Sequence, residues 1–198
     1  MSDEWTTRQT LLLRVKNPDD EQAWNEFVNY YKSFIKVILK YLNVATNDVE
    51  DLTQEILIKI WKGLQKLDYD SEKARFRTWL NRVIRNAVID FQRAGNRRIK
   101  TENQDEVDSE SFPLDNDEFS KIIEKEWRAH ITNLALDNIR PIFKGNALDV
   151  FNLYLNEVPT KKIAEQLNIA EGSVYKLRSR VEEKLIQEIK RLKLELEF

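Results

Sequence analysis

Residues 160–179 read TKKIAEQLNIAEGSVYKLRS, the pattern of two short helices that meet at a tight turn. A small residue, Ala164, stands where the two backbones come closest, and Asn168, which tolerates a positive φ, stands at the corner. The apolar side chains that would form the shared core are Ile163, Leu167, Ile169, Val174 and Leu177. The stretch therefore predicts a helix-turn-helix.

The second of these helices carries side chains suited to DNA. Once its apolar positions face inward, the remaining positions can approach phosphates or base edges. Residues 160–193 hold nine basic and five acidic residues, and this excess suits phosphate contacts. Glu171 can accept a hydrogen bond from a cytosine amino group or stabilise the helix N-terminus, and both readings stay open. The predicted contacts to duplex DNA are Glu171, Gly172, Ser173, Tyr175, Lys176, Arg178, Ser179 and Arg180.

Charge is strongly segregated along the rest of the chain. The 198 residues have a net charge of only −2, but residues 72–100 hold nine basic and two acidic residues. Residues 101–118 then hold eight acidic residues and no Lys or Arg. Residues 95–118 also lack apolar periodicity, so they predict a flexible linker extended by self-repulsion, either a solvated tether or a segment with a specific acidic contact.

The N-terminal half is predicted to be helical. Apolar residues recur at helical spacing in segments near residues 21–42, 47–67 and 73–93, with a short helix near 5–16. Four Gly and four Pro are too few for a protein with many turns. We therefore predict an all-α fold of two small helical domains, 1–94 and 119–198, joined by the acidic linker 95–118.

The amino-acid composition limits the kinds of catalytic and metal sites that the chain can form. The chain has no Cys, which excludes thiolate chemistry, and its single His, His130, leaves little material for metal or triad chemistry, so no metal or cofactor is expected. A helical carboxylate metalloprotein that used Asp48, Asp51 and Glu55 would need Glu-x-x-His pairs, which are absent. With no membrane-spanning apolar run and no signal-peptide pattern, we expect a cytoplasmic protein without membrane insertion.

Two stretches resemble a known family. Residues 48–68, DVEDLTQEILIKIWKGLQKLD, and 74–93, ARFRTWLNRVIRNAVIDFQR, are similar to the second conserved region of bacterial sigma factors. The D-x-x-Q-E and F-x-T-W-L-x-R-x-x-x-N-x-x-x-D strings are specific in combination. With the C-terminal helix-turn-helix and the acidic linker, the chain resembles the extracytoplasmic-function (ECF) sigma factors over roughly residues 10–94 and 120–190.

The resemblance implies a promoter-recognition subunit without catalysis of its own. Its partners would be core RNA polymerase and promoter DNA, it would be a monomer when free, and an anti-sigma factor stays open. The helix of residues 48–61 would dock on the polymerase clamp helices, whereas periodicity alone favours a solvated charged face. The implied polymerase contacts are Asp48, Asp51, Gln54, Glu55 and Lys59.

The resemblance also assigns residues 67–77 and the following helix to the minus-ten element, whose non-template strand is opened and read there. Such a site needs positive charge, aromatic rings and amide groups. Phe76 lies on the apolar stripe and favours the core, while Trp79 fits either the core or a DNA-facing wedge. Asn86 and Asp90 could reach one nucleotide or bond to each other. The implied single-strand contacts are Arg75, Arg77, Trp79, Arg82, Arg85, Asn86, Asp90 and Arg93.

Residues 171–180 would by resemblance enter the major groove of the minus-thirty-five element. The commonest family string has Lys-Ser-Arg after the Val, but here Val174 precedes Tyr175, Lys176 and Leu177, so base assignments stay open. The linker would thread the polymerase cleft, and the apolar stripe of Leu185, Ile189, Leu192 and Leu196 fits core packing or a partner. The alternative function is a helix-turn-helix repressor or activator with an all-α sensor or dimerisation domain.

Overall fold

Helices joined by turns make up the part of the chain that the structure describes. The computed structural model describes residues 11–65, 76–102 and 116–196, apart from the side chains of 95–102 and 116. A 3₁₀ turn, Arg140–Ile142, follows the fifth helix, and no strand occurs in these ranges, which confirms the predicted fold class. The helices are α1 Leu11–Val15, α2 Glu21–Tyr41, α3 Thr46–Leu64, α4 Phe76–Glu102, α5 Asn116–Ile139, α6 Ala147–Leu155, α7 Thr160–Leu167 and α8 Glu171–Leu196.

The helices pack into two units. Unit 1 contains the described residues up to Arg128 together with Glu195 and Leu196, and unit 2 contains Ala129–Leu194. Helix α5 therefore contributes its first half to unit 1 and its second half to unit 2. The sequence-based domains 1–94 and 119–198 remain a prediction.

One predicted boundary differs from the structure. Helix α4 was expected to end near Arg93, but it continues to Glu102, so residues 95–102 are helical rather than part of a linker. An interior glycine such as Gly95 costs a helix only ~1 kcal/mol, which neighbouring turns can offset. Residues 103–115 of the predicted linker lie outside the described residues.

An aromatic cluster forms the centre of unit 1. The ring of Tyr31 stacks on Phe27 at 4.2 Å and on Trp127 at 5.4 Å, and it meets Phe76 edge-on at 5.6 Å. The buried Tyr31 hydroxyl donates a hydrogen bond to the Leu196 carbonyl at 2.8 Å. Tyr31 thus joins α2, α4, the first half of α5 and the last turn of α8 around one core.

Helix α3 packs against α2 and α4 through the stripe that its sequence predicts. Val49, Leu52, Ile56, Ile60 and Leu64 are all buried. The only buried polar residue among those described, Thr53, donates its hydroxyl to the Val49 carbonyl at 2.6 Å. Because the apolar face of α3 is buried in unit 1, its charged face is directed toward solvent.

Unit 2 contains the predicted helix-turn-helix. Asn168 ends α7 with φ 53°, and the Ile169 N–H donates to the Ala164 carbonyl at 3.0 Å. Ile163, Ala164 and Val174 are buried together with Val150 of α6. The turn and the shared core therefore confirm the predicted motif.

The C-terminal stripe belongs to the same helix as the second half of the motif. Helix α8 runs without interruption from Glu171 to Leu196. Leu192 and Leu196 are buried, and Leu185 packs against the cluster around Phe151 and Val181. The stripe therefore serves core packing at these positions.

Candidate nucleic-acid and polymerase interfaces

Helix α4 separates an apolar face from a polar one. Phe76, Leu80, Ile84, Ala87 and Val88 are buried, which confirms Phe76 as a core residue. Val83, an apolar residue next to Ile84, is only half-buried. The polar face groups four of the predicted single-strand contacts, all exposed: Arg82, Asn86, Asp90 and Arg93. Arg75 lies outside the described residues.

Arg77 is held by the first half of α5. Its Nη1 lies 2.5 Å from Glu124 Oε2, and Arg128 Nε donates to the other oxygen of Glu124 at 3.0 Å. Partial burial raises the pKa of Glu124, but the hydrogen bond from Arg128 and the charge of Arg77 outweigh it and hold that pKa below its usual range. Glu124 thus remains an anion beside a predicted DNA-contacting cation.

Trp79 packs on a glycine of α3. A Cβ at Gly63 would lie 2.5 Å from Trp79 Cζ2, so the indole rests directly on the α3 backbone. The ring also lies 5.5 Å from Phe76. Trp79 is half-buried, with one side on the core and the remainder available at the surface.

The predicted polymerase and single-strand surfaces meet at an ion pair. Lys59 of α3 lies 3.5 Å from Asp90 of α4 and 2.9 Å from Glu55. Partial burial lowers the pKa of Lys59, but the two carboxylates outweigh it and raise that pKa. The Asp90 carboxylate accepts a hydrogen bond from Lys59 at 3.5 Å rather than from Asn86, and its contact with a nucleotide stays a prediction.

The outward face of α3 carries the predicted polymerase contacts. Asp51, Gln54 and Glu55 are exposed, while Asp48 and Lys59 are half-exposed. Ile58 lies among them with 53% of its surface exposed, a residue that sequence reasoning missed. Its position between the buried Ile56 and Ile60 in the sequence was the available signal, because a helix cannot bury all three on one face.

The helix-turn-helix presents most of its predicted DNA contacts to solvent. Ser173 and Arg178 are half-buried. The Arg178 guanidinium lies 4.4 Å from the centre of the Tyr154 ring, and its Nε lies 3.4 Å from Glu182. Tyr154, which the sequence did not single out, thus holds Arg178 within unit 2. The exposed members are Glu171, Gly172, Tyr175, Lys176, Ser179 and Arg180.

A basic cleft of about 1040 Å³ lies within unit 1 between α4 and the first half of α5. Its α4 wall includes Arg82, Arg85 and Asn86. Its α5 wall was not predicted from the sequence, although the apolar spacing of Phe119, Ile123 and Trp127 marks an amphipathic helix. The cleft joins cations that are more than thirty residues apart in the chain.

Neither a metal site nor a membrane span occurs in the part of the chain that the structure describes. Within residues 11–65, 76–102 and 116–196, no three Asp, Glu or His side chains are grouped to hold a metal ion, and Asp48, Asp51 and Glu55 form no such group. No helix in these same ranges has the length and apolar character of a membrane span.

Comparison with known proteins finds similarity in the N-terminal half of the chain. Residues 27–98 match the family described as Sigma-70 region 2. The chain is 32% identical over 110 residues to the ECF RNA polymerase sigma-E factor of Escherichia coli K12, covering 55% of this chain and 54% of that protein. It is 30% identical over 111 residues to the protein of the same name from Haemophilus influenzae, covering 56% of each.

In the matched stretches the chain is therefore similar to ECF sigma factors and to region 2 of the sigma-70 family. The chain spans about half the length of the curated relatives it matches. The matched region contains α3 and most of α4, the two helices that carry the predicted polymerase and single-strand contacts.

Proposed function

We propose that this chain is an ECF sigma factor that binds core RNA polymerase, directs it to specific promoters and assists in melting the DNA. The grouping of exposed cations and an amide on α4 carries the proposal. Arg82, Asn86 and Arg93 share one face of a helix whose other face is packed into the core. A strand bound there would find phosphate partners and a base-reading amide together.

Three surfaces would bind polymerase, single-stranded DNA and duplex DNA, respectively. The outward face of α3 binds polymerase through Asp51, Gln54 and Glu55, with Ile58 as an apolar contact among them. The polar face of α4 holds the non-template strand of the minus-ten element. The first turns of α8 enter the major groove of the minus-thirty-five element, as the second helix of such a motif does.

Reconstitution tests this function. The purified chain is mixed with core RNA polymerase and a set of genomic promoter fragments, and transcripts are mapped. We expect initiation at defined sites that core polymerase alone does not use, with one chain per polymerase. A chain that binds duplex DNA tightly as a dimer and leaves polymerase unaffected would instead be a repressor or activator.

A surface variant separates polymerase binding from DNA binding. Gln54→Ala combined with Ile58→Ser alters the exposed face of α3 without touching its core. We expect weaker binding to core polymerase and unchanged binding to single-stranded DNA. Equal polymerase affinity in the variant would contradict the assignment of α3.

A further inference from the structure

The two walls of the basic cleft carry the same sign of charge. Six cationic side chains and one carboxylate, Glu124, are among the described residues that line it. Arg82 and Arg85 stand on the α4 wall, and Lys121 and Lys125 on the α5 wall. Like charges across a cleft repel one another, so an anion bound between them would relieve the repulsion.

The α5 wall is a regular basic row. Lys121, Lys125 and Arg128 recur at i, i+4 and i+7, and all three are exposed. This spacing puts them on one side of the helix, as successive phosphates of a strand would require. A single nucleotide is much smaller than a cleft of about 1040 Å³, so several can enter.

The opposite face of α5 fixes this row in unit 1. Phe119, Ile123 and Trp127 are all buried. Trp127 stacks on Tyr31 and meets Phe34 edge-on at 5.0 Å. The α5 row is therefore held against unit 1 by an aromatic core as well as by the ion pair between Glu124 and Arg77.

We propose that the first half of α5 forms a second phosphate-binding wall, so that the free chain holds single-stranded DNA between Arg82 and Arg85 on α4 and Lys121 and Lys125 on α5. The inference rests on the proposed function of α4 and extends it to a helix outside the matched family region. If α5 instead blocked the DNA-binding face of α4, it would be expected to place acidic residues opposite the α4 cations. The charged α5 residues that line the cleft are mainly basic.

The test uses the full chain and a fluorescently labelled, mixed-sequence 12-nucleotide single strand, with affinity measured by anisotropy at several salt concentrations. For single strands the slope of log K against log salt falls by about 0.7 for each phosphate that the protein no longer neutralises. Lys121→Gln/Lys125→Gln should therefore reduce the slope by about 1.4, which weakens binding about 25-fold at 0.1 M salt. Lys121→Arg/Lys125→Arg should retain both slope and affinity.

A matched control corrects for net charge. Lys40→Gln/Lys62→Gln removes two exposed lysines of unit 1 that do not line the cleft, and its slope should stay near that of the unaltered chain. If Lys121→Gln/Lys125→Gln behaves like this control while Arg82→Gln weakens binding, the second wall is wrong and the function of α4 stands. If none of the three changes matters, both fail. Tighter binding by the α5 variant, or no binding by the unaltered chain at low salt, overturns the second wall.

Discussion

The indole of Trp79 lies against the backbone of Gly63, so that a Cβ added to Gly63 would stand 2.5 Å from Cζ2. This packing joins α3, the proposed polymerase-binding helix, to α4, the proposed strand-binding helix. Gly63 is needed there for its lack of a side chain, because any other residue would displace the ring. The two proposed surfaces are thereby fixed relative to each other within unit 1.

We expect Gly63→Ala to destabilise unit 1. Overpacking costs ~1–3 kcal/mol, and the better helix propensity of Ala returns ~1 kcal/mol. Gly172→Ala is the control, because a Cβ there meets nothing within 4 Å, and it should gain stability. The free energies of unfolding of the two variants are compared by urea denaturation followed by circular dichroism. In a Trp79→Leu background, Gly63→Ala should no longer lower the free energy of unfolding. A penalty that persists in that background would mean that Trp79 is not its cause.

Lys176 and Arg178 should have different roles although both lie on the helix predicted to read DNA. Lys176 is exposed, whereas Arg178 lies over Tyr154 and beside Glu182. For duplex promoter DNA, Lys176→Gln should reduce the salt slope of binding by about 0.9. Arg178→Gln should leave the slope unchanged and lower the thermal midpoint of the chain. A reduced slope for Arg178→Gln with normal stability would assign Arg178 to phosphate binding instead.

Glu50 should give unit 1 a component of stability that depends on pH. Its carboxylate accepts from Lys32 Nζ at 2.6 Å and from Lys36, and these hydrogen bonds lower its pKa to about 2. Because the folded pKa lies below the unfolded value of 4.5, the contribution is complete above pH 4.5 and is lost as the pH falls toward 2. Glu50→Gln should therefore be less stable than the unaltered chain at pH 7, and the difference should largely disappear as the pH falls through 2.

Carboxylate NMR measures this pKa directly. The Glu50 signal should titrate near pH 2 in the unaltered chain and move toward pH 4.5 in Lys32→Gln/Lys36→Gln. Titration of Glu50 near pH 4.5 in the unaltered chain would show that the two lysines do not bond to it in solution.

The sequence predicts those features that depend on neighbours along the chain. The helix-turn-helix is one of them, because the tolerance of Asn168 for a positive φ and the smallness of Ala164 are local properties. The buried stripe of α3 is another, since helical periodicity alone separates Ile56 and Ile60 from the exposed Gln54.

Features that depend on distant partners could not be predicted in this way. The residues around Gly63 do not show that it must lack a side chain, because Trp79, which packs against it, belongs to another helix. The sequence around Arg178 predicts a DNA contact, because it does not show that the guanidinium lies over the ring of Tyr154 of α6. The α5 wall could not be predicted because Trp127 packs on Tyr31, which lies almost a hundred residues away in the chain. Helical periodicity shows which face of a helix is buried but not which core it packs into.

Helix α4 is proposed to open promoter DNA and hold it for polymerase, and 2-aminopurine placed in the minus-ten element of a promoter mapped by reconstitution reports this opening. The fluorescence should rise when chain and core polymerase bind together. Asn86→Ala should reduce the rise roughly tenfold if the change removes one base-reading interaction of ~1–3 kcal/mol, and its affinity for core polymerase should be unchanged. An undiminished rise with Asn86→Ala, or a loss of polymerase binding in its place, would show that Asn86 of α4 does not read the opened strand.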